Sequence, residues 1–292
     1  MRLDGRRQSG NIQDRRGMSG KAIGIGGGII GVIIAAVITF MSGGSVGDVA
    51  QSVFSAMQQG GGQTQQAVEL DAEDQRLYDL SSKVLAGTED VWTKIFREQG
   101  WGEYKAPQMV IYSGSVQTGC GQGTAQTGPF YCSADETVYI DLDFFKSMQS
   151  QIGASGDFCY AYVIAHEVGH HVQNLLGTLN KAHSAMARLP EKEANKISVC
   201  LELQADYYAG VWGHTDNEMF GSIEPGDIEN AINAASKIGD DYIQKKAYGY
   251  EIPDAFNHGR SEWRVHWLSK GLKTGDASMG AADTFSGQYP PR

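Results

Sequence analysis

The sequence predicts an α+β fold, mostly helical with a small sheet, preceded by one transmembrane helix. Three observations lead there. An uncharged stretch of 20 residues lies near the start, two β-branched and aromatic segments lie near the middle, and the second half is dominated by apolar residues at three- and four-residue steps. The chain has 292 residues with 41% hydrophobic composition, enough to bury a core.

Charge is distributed unevenly. Residues 1–21 carry Arg2, Arg6, Arg7, Arg15, Arg16 and Lys21 against Asp4 and Asp14, a net +4, so the remaining 271 residues carry −14 of the total −10. The acidic total argues against a nucleic-acid partner, which needs a basic face. The basic head reads as a cytoplasmic segment, because residues 22–41 (AIGIGGGIIGVIIAAVITFM) are long enough to cross a bilayer as a helix. Gly24, Gly27, Gly28 and Gly31 would be tolerated there or would let another helix approach. The stretch exceeds a signal-peptide core, which favours an uncleaved anchor. The expected location is the inner membrane, single-pass, with the N-terminus cytoplasmic and the rest periplasmic or extracellular. Residues 42–67, rich in Gly, Gln and Ser, read as a flexible linker. The folded domain is expected over 68–292.

Within it, residues 69–99 have helical spacing through Leu70, Leu77, Leu80, Val84, Val91, Trp92, Ile95 and Phe96. Residues 107–112 (PQMVIY) and 136–142 (ETVYIDL) read as strands. Helices follow at 158–176, from Pro190 to about Gly213, at 226–246 and at 261–270, and the tail after Gly271 reads as irregular.

Four cysteines, Cys120, Cys132, Cys159 and Cys200, are an even number, as an exported domain with disulfides would have. Cys120 and Cys132 bracket GCGQGTAQTGPFYC, a loop pinned at both ends; zinc ligation is the rival, without a Cys-x-x-Cys pair to support it.

The chemistry concentrates in VIAHEVGHHV. On a helix His166 and His170 share one face and can offer two imidazoles to one zinc ion (Zn²⁺), with Glu167 placed to reach a water beside it. The apolar flanks Val163, Ile164, Ala165 and Val172 imply burial. A catalytic zinc takes three protein ligands, and the best third is Glu202 in CLELQADYYAG, followed four residues on by Asp206. This order of motifs resembles the gluzincin metallopeptidases. The resemblance implies that Glu202 binds the metal and that Asp206 accepts the second ring N–H of a ligand histidine. Ala205 and Ala209 keep this helix slim.

Longer strings extend the likeness. MRLDGRRQSGNIQDRRG, TGCGQGTAQTGPFYC, VYIDLDFF, YVIAHEVGHHVQ, ELQADYYAGVWGH and FNHGRSEWRVHWLSKG are similar to a bacterial family described as putative neutral zinc metallopeptidases, over nearly the whole chain. That family commonly carries cysteines where Tyr207 and Ala282 stand here, while Cys159 and Cys200 fall on the two metal-bearing helices. A relocated disulfide and a pair of buried thiols both remain open. The resemblance implies a zincin-like domain that hydrolyses peptide bonds in a polypeptide substrate. Glu167 would act as base and then acid. His258 in HGRSEWRVHW is the candidate oxyanion stabiliser and Arg264 the second choice; the alternative is that His258 caps the last helix or lies on a loop. Substrate would lie along an edge strand at 137–142. His171, His183, His214 and His266 read as structural or exposed. The rival function is a non-enzymatic, metal-stabilised envelope scaffold or adaptor, which would not need Glu167. A polytopic intramembrane protease is excluded by the single apolar span. The sequence does not define an oligomeric state.

Overall fold

The computed structural model describes residues 1–16, 71–124 and 127–286. The apolar stretch 22–41 and the linker 42–67 lie outside the described residues. Among the described residues no helix is long and apolar enough to cross a membrane.

Among the described residues the first helix is α1 (Ala72–Gln99), capped by Asp71, whose side chain accepts from the Asp74 backbone while the Asp74 side chain accepts from the Asp71 N–H. It ends at Gly100, whose φ of 68° closes the last turn in a left-handed conformation. Its buried face carries Leu77, Leu80, Val84, Val91, Trp92, Ile95 and Phe96, the spacing read from the sequence.

The two predicted strands are β2 (Gln108–Tyr112) and β6 (Thr137–Asp141), paired in parallel. Four short strands were not anticipated: β1 (Ile12–Asp14), β3 (Ser115–Thr118), β4 (Gly121–Thr124) and β5 (Phe130–Cys132). The main sheet runs β1-β2-β6-β5, with β1 parallel to β2 and β5 antiparallel to β6, while β3 and β4 form a separate hairpin. Strand 137–142 is therefore not an edge strand, as expected, but an interior one. The 120–132 loop folds back, and its last residues cover that edge. Cys120 and Cys132 form the expected disulfide, with sulfurs 2.03 Å apart, tying the β3–β4 turn to β5. Zinc ligation by these two cysteines is thereby excluded.

The domain boundary also differs. Residues 1–16, expected as a segment apart from the domain, belong to it. β1 takes the outer edge of β2 with Ile12 opposite Met109 and Asp14 opposite Ile111, and Arg16 is buried. A three-residue strand with no apolar alternation gives no sign of itself in sequence.

Helices α2 (Leu142–Ile152), α3 (Asp157–Leu175), α4 (Thr178–Met186), α5 (Glu191–Phe220), α6 (Asp227–Lys237), α7 (Asp240–Tyr248) and α8 (Ser261–Thr274) follow among the described residues, with a 3₁₀ turn at Pro253–Ala255. The long helix α5 packs on α3 and, most extensively, on α8. Two close approaches set these contacts. A Cβ on Gly169 of α3 would stand 3.0 Å from the Ala205 carbonyl oxygen of α5, and a Cβ on Gly271 of α8 only 2.2 Å from the Tyr207 carbonyl. Any larger residue would push the helix backbones apart.

The single helix expected over 226–246 is two, broken at Ile238–Gly239. Gly239 is extended, and a Cβ there would collide with the Ser261 backbone nitrogen, so the start of α8 occupies the path of a continuous helix. The tail beyond α8 is irregular as expected but packed: Gln204 donates to the Ala282 carbonyl and the Thr284 hydroxyl to the Cys200 carbonyl. Cys159 and Cys200 are both free and buried, and burial pushes their thiols up to about 12 and about 11.

Candidate metal centre

Helix α3 is apolar on nearly every side and lies in the core, so His166 and Glu167 are only 7% and 8% exposed. A polar side chain at such depth needs a partner. His166 and His170, one turn apart, turn their Nε2 atoms to the two oxygens of Glu202 on α5, at 3.1 and 3.4 Å. The three ligand atoms lie within 4.8 Å of one another. The Gly169–Ala205 contact brings the two helices close enough for this to happen.

The outer ring nitrogens decide what those contacts mean. His166 Nδ1 is 2.9 Å from Asp206 Oδ1 and faces a carboxylate, so it carries the proton. His170 Nδ1 is 2.9 Å from Gln173 Oε1. The Gln173 amide nitrogen donates to the Leu201 carbonyl, which orients its oxygen towards His170 and makes His170 Nδ1 a donor as well. Both Nε2 atoms thus converge on the Glu202 carboxylate, an arrangement that a cation at their centre would satisfy, with a proton taking that place on His166 when no metal is bound. A tetrahedral zinc bound at about 2.0–2.1 Å holds its ligand atoms roughly 3.3 Å apart, which matches the 3.1 and 3.4 Å separations. The residues fit the ion.

Asp206 is fully buried and collects four donors. Its Oδ1 accepts from Tyr162 Oη (2.7 Å), His166 Nδ1 and Arg264 Nη2 (3.0 Å), and its Oδ2 accepts from Arg264 Nε (2.8 Å). Burial alone would raise its carboxyl, but Arg264 and His166 outweigh that and hold it at about 2. Glu202 is likewise pulled well below the usual carboxylate range, with burial outweighed by the two histidines. Glu167 goes the other way: burial pushes it up despite the neighbouring histidines. One helix thus carries the histidine pair and, one residue on from His166, a more basic carboxylate.

Arg264 is engaged in this ion pair and in a bond to the Ile238 carbonyl, so it is not a free oxyanion donor as the second choice above supposed. His258 lies on the segment leading into α8. The place of a Cβ on the adjoining Gly259 is 2.9 Å from Val199 and 3.6 Å from Leu203 of α5, three residues before Glu202 and one after it. The His258 side chain is 43% exposed and is held by Asp240. Asp240 Oδ2 accepts from the backbone N–H groups of His258 (2.7 Å) and Gly259 (2.8 Å), and its Oδ1 lies 3.2 Å from His258 Nδ1. Burial would lower the imidazole, but Asp240 and then Glu202 raise it above its ordinary value. His258 is therefore held at the start of a helix yet remains open on one side.

The other histidines are structural or peripheral. Buried His171 donates to the Lys105 carbonyl (2.7 Å) and accepts from Tyr131 Oη (2.9 Å). His214 donates to the Leu272 carbonyl. Sequence reasoning missed Gln173 and Asp240. The signal for Gln173 was an amide three residues beyond His170, on the same side of the helix; Asp240 had none, because its contact with His258 spans 18 residues.

Two imidazoles, each braced from behind, and one carboxylate on packed helices form a group of the His-Glu-x-x-His kind that could hold a metal ion on an α+β domain. The chain belongs to the family described as "Putative neutral zinc metallopeptidase", whose model matches residues 1–285. It is 42% identical over 288 residues to the uncharacterized protein YpfJ of Escherichia coli K12, covering 96% of this chain and 97% of that protein. It is also 43% identical over 193 residues to the uncharacterized proteins Mb2605 of Mycobacterium bovis and Rv2575 of Mycobacterium tuberculosis H37Rv, covering 63% of this chain and 64% of each. No solved structure matches the chain.

Proposed function

We propose that the protein is a zinc-dependent metallopeptidase of the gluzincin type that hydrolyses peptide bonds in a polypeptide substrate. The observation that carries this reading is the convergence of the His166 and His170 Nε2 atoms on the Glu202 carboxylate, with Glu167 beside them and not spent on ligation. His166, His170 and Glu202 would hold zinc, whose Lewis acidity makes a water nucleophilic near neutral pH and polarises a carbonyl. Glu167 takes the proton of the attacking water and delivers it to the leaving amine. Its upward shift suits a group that must both accept and release a proton. His258, held by Asp240, donates to the carbonyl oxygen as negative charge develops there. Asp206 and Gln173 fix the ring orientations and touch no substrate.

The scaffold reading would keep the three ligands and their braces but gives no reason for a buried glutamate beside them. The Cys120–Cys132 disulfide supports work in an oxidising compartment outside the cytoplasm, and the apolar stretch 22–41 supports attachment to a membrane.

The decisive test is Glu167→Gln. Zinc content and thermal midpoint stay at the parent's values while cleavage of an unfolded protein substrate falls at least about 10²-fold, the lower range for a lost general base. Undiminished cleavage with zinc still bound would remove Glu167 from the mechanism.

A further inference from the structure

The sixteen N-terminal residues raise a question of topology that is independent of the peptidase reading. Their charges suggest a cytoplasmic flank, yet four of their five basic residues are used inside the fold. Arg6 forms two bonds to Asp216, at 2.8 and 3.4 Å, and covers the Phe220 ring at 3.6 Å. Arg7 pairs with Asp90 and Glu89. Arg16, 2% exposed, is held by Asp14 and donates to the Asp74 carbonyl. Arg2 donates to the Gly221 carbonyl.

Backbone and neutral contacts reinforce these. Met109 N–H donates to the Asn11 carbonyl, Arg15 N–H to Ile111 and Ser9 N–H to Ser82. Ser9 Oγ and Asn11 Nδ2 both donate to Glu89, at 2.5 and 2.8 Å. The segment thus touches α1, β2 and α5, and the Met1 amine reaches Asp227 at the start of α6. Without it, Asp216, with a side chain only 1% exposed, and the mostly buried Glu89 would lose their cationic partners, and β2 would lose a paired edge.

We propose that residues 1–16 and 71–286 form one cooperative unit and lie on the same side of any membrane the protein meets. Residues 17–70 leave this unit at Arg16 and rejoin it at Asp71, and Arg16 bonds the Asp74 carbonyl. If the stretch 22–41 enters a bilayer, the chain therefore has to return on the side from which it entered. A single crossing is incompatible with the β1–β2 pairing.

The test uses the full chain in cells. Asp4→Cys and Lys273→Cys place single exposed thiols on the two segments, and a membrane-impermeant maleimide is applied to spheroplasts before and after lysis. Both positions should respond alike, either both labelled before lysis or both only after it. Labelling of one before lysis and of the other only after lysis would overturn the proposal. In parallel, Arg6→Gln should lower the single unfolding midpoint of the purified full-length protein. An unchanged midpoint would show that the N-terminal segment is not part of the cooperative unit.

Discussion

Asp206 does two jobs at once, and removing it should reveal both. Its carboxylate orients His166 and also carries the charge of Arg264, which is 3% exposed and makes two of its bonds there. Asp206→Ala takes the acceptor from His166 and strands a buried guanidinium. The first loss should weaken zinc binding about 10–100-fold, the usual cost of losing a ligand's hydrogen-bond partner. The second should cost about 3–5 kcal/mol of folding stability, the cost of breaking a buried ion pair from one side. The two effects separate in Asp206→Ala/Arg264→Met, where no unpaired charge remains. Stability should recover by at least about 2 kcal/mol, since replacing a whole buried pair by apolar groups is close to neutral. Zinc affinity should stay low, because His166 still lacks its acceptor. Urea unfolding of chelator-treated protein isolates the folding term from metal linkage, and a competition titration reads zinc affinity. A double variant no more stable than Asp206→Ala would refute the shared role. So would zinc affinity that returns when Arg264 is removed.

Two further variants probe the braces on the site. Gln173→Leu should lower zinc affinity about 10–100-fold by removing the acceptor of His170 Nδ1–H, while Gln173→Glu, which keeps an acceptor oxygen, retains most of it; equal affinities in the two would dismiss the brace. Asp240→Asn should shift the alkaline limb of the kcat profile to lower pH. The reason is that the Asp240 contact keeps His258 cationic above its ordinary value near 6.5, and an unmoved limb would show that His258 is not the titrating group.

The clustering of His166, His170 and Glu202 was legible because helical periodicity does the geometric work. Residues four apart share a face, so His166 with His170 and Glu202 with Asp206 could be placed before any packing was known. Helix α1 was legible for the same reason. What was hidden depends on contacts distant in sequence. Strand β6 looked like an edge because nothing in 120–132 announces that β5 will pair with it. The break at Gly239 is imposed by Ser261, 22 residues on. Arg264 looked available for catalysis until its bonds to Asp206 were seen. The basic N-terminus was misleading in a more instructive way. Charge counting treats arginines as free, whereas their partners Asp216, Glu89 and Asp90 lie some 80–210 residues away.

The charges around the site lead to a last prediction. Among the described residues, Glu167, Glu202 and Asp206 bring three carboxylates to the centre and Arg264 brings one cation, a balance that a doubly charged metal ion completes. Without metal, protons take over. Burial alone would lower His166, but Asp206 and Glu202 raise it to about 10, so at neutral pH the metal-free ring is an imidazolium. Two consequences follow with opposite signs. Zinc must displace that proton, so its affinity should rise with pH, by up to about tenfold per unit for one proton, across the window from the unfolded value near 6.5 to about 10. Folding of the metal-free protein should show the reverse. A group whose folded pKa is raised contributes stability that is fully present below its unfolded value and is lost as pH rises through the folded one. The chelated protein should therefore lose stability between about pH 6.5 and 10, while the zinc-loaded protein, whose His166 carries metal and not a proton, should lose much less. Urea midpoints of both forms and competition titrations across that window measure the two slopes. A chelated midpoint that is flat with pH, or zinc affinity that falls as pH rises, would show that His166 is not protonated in the empty site and that the charge balance proposed for the centre is wrong.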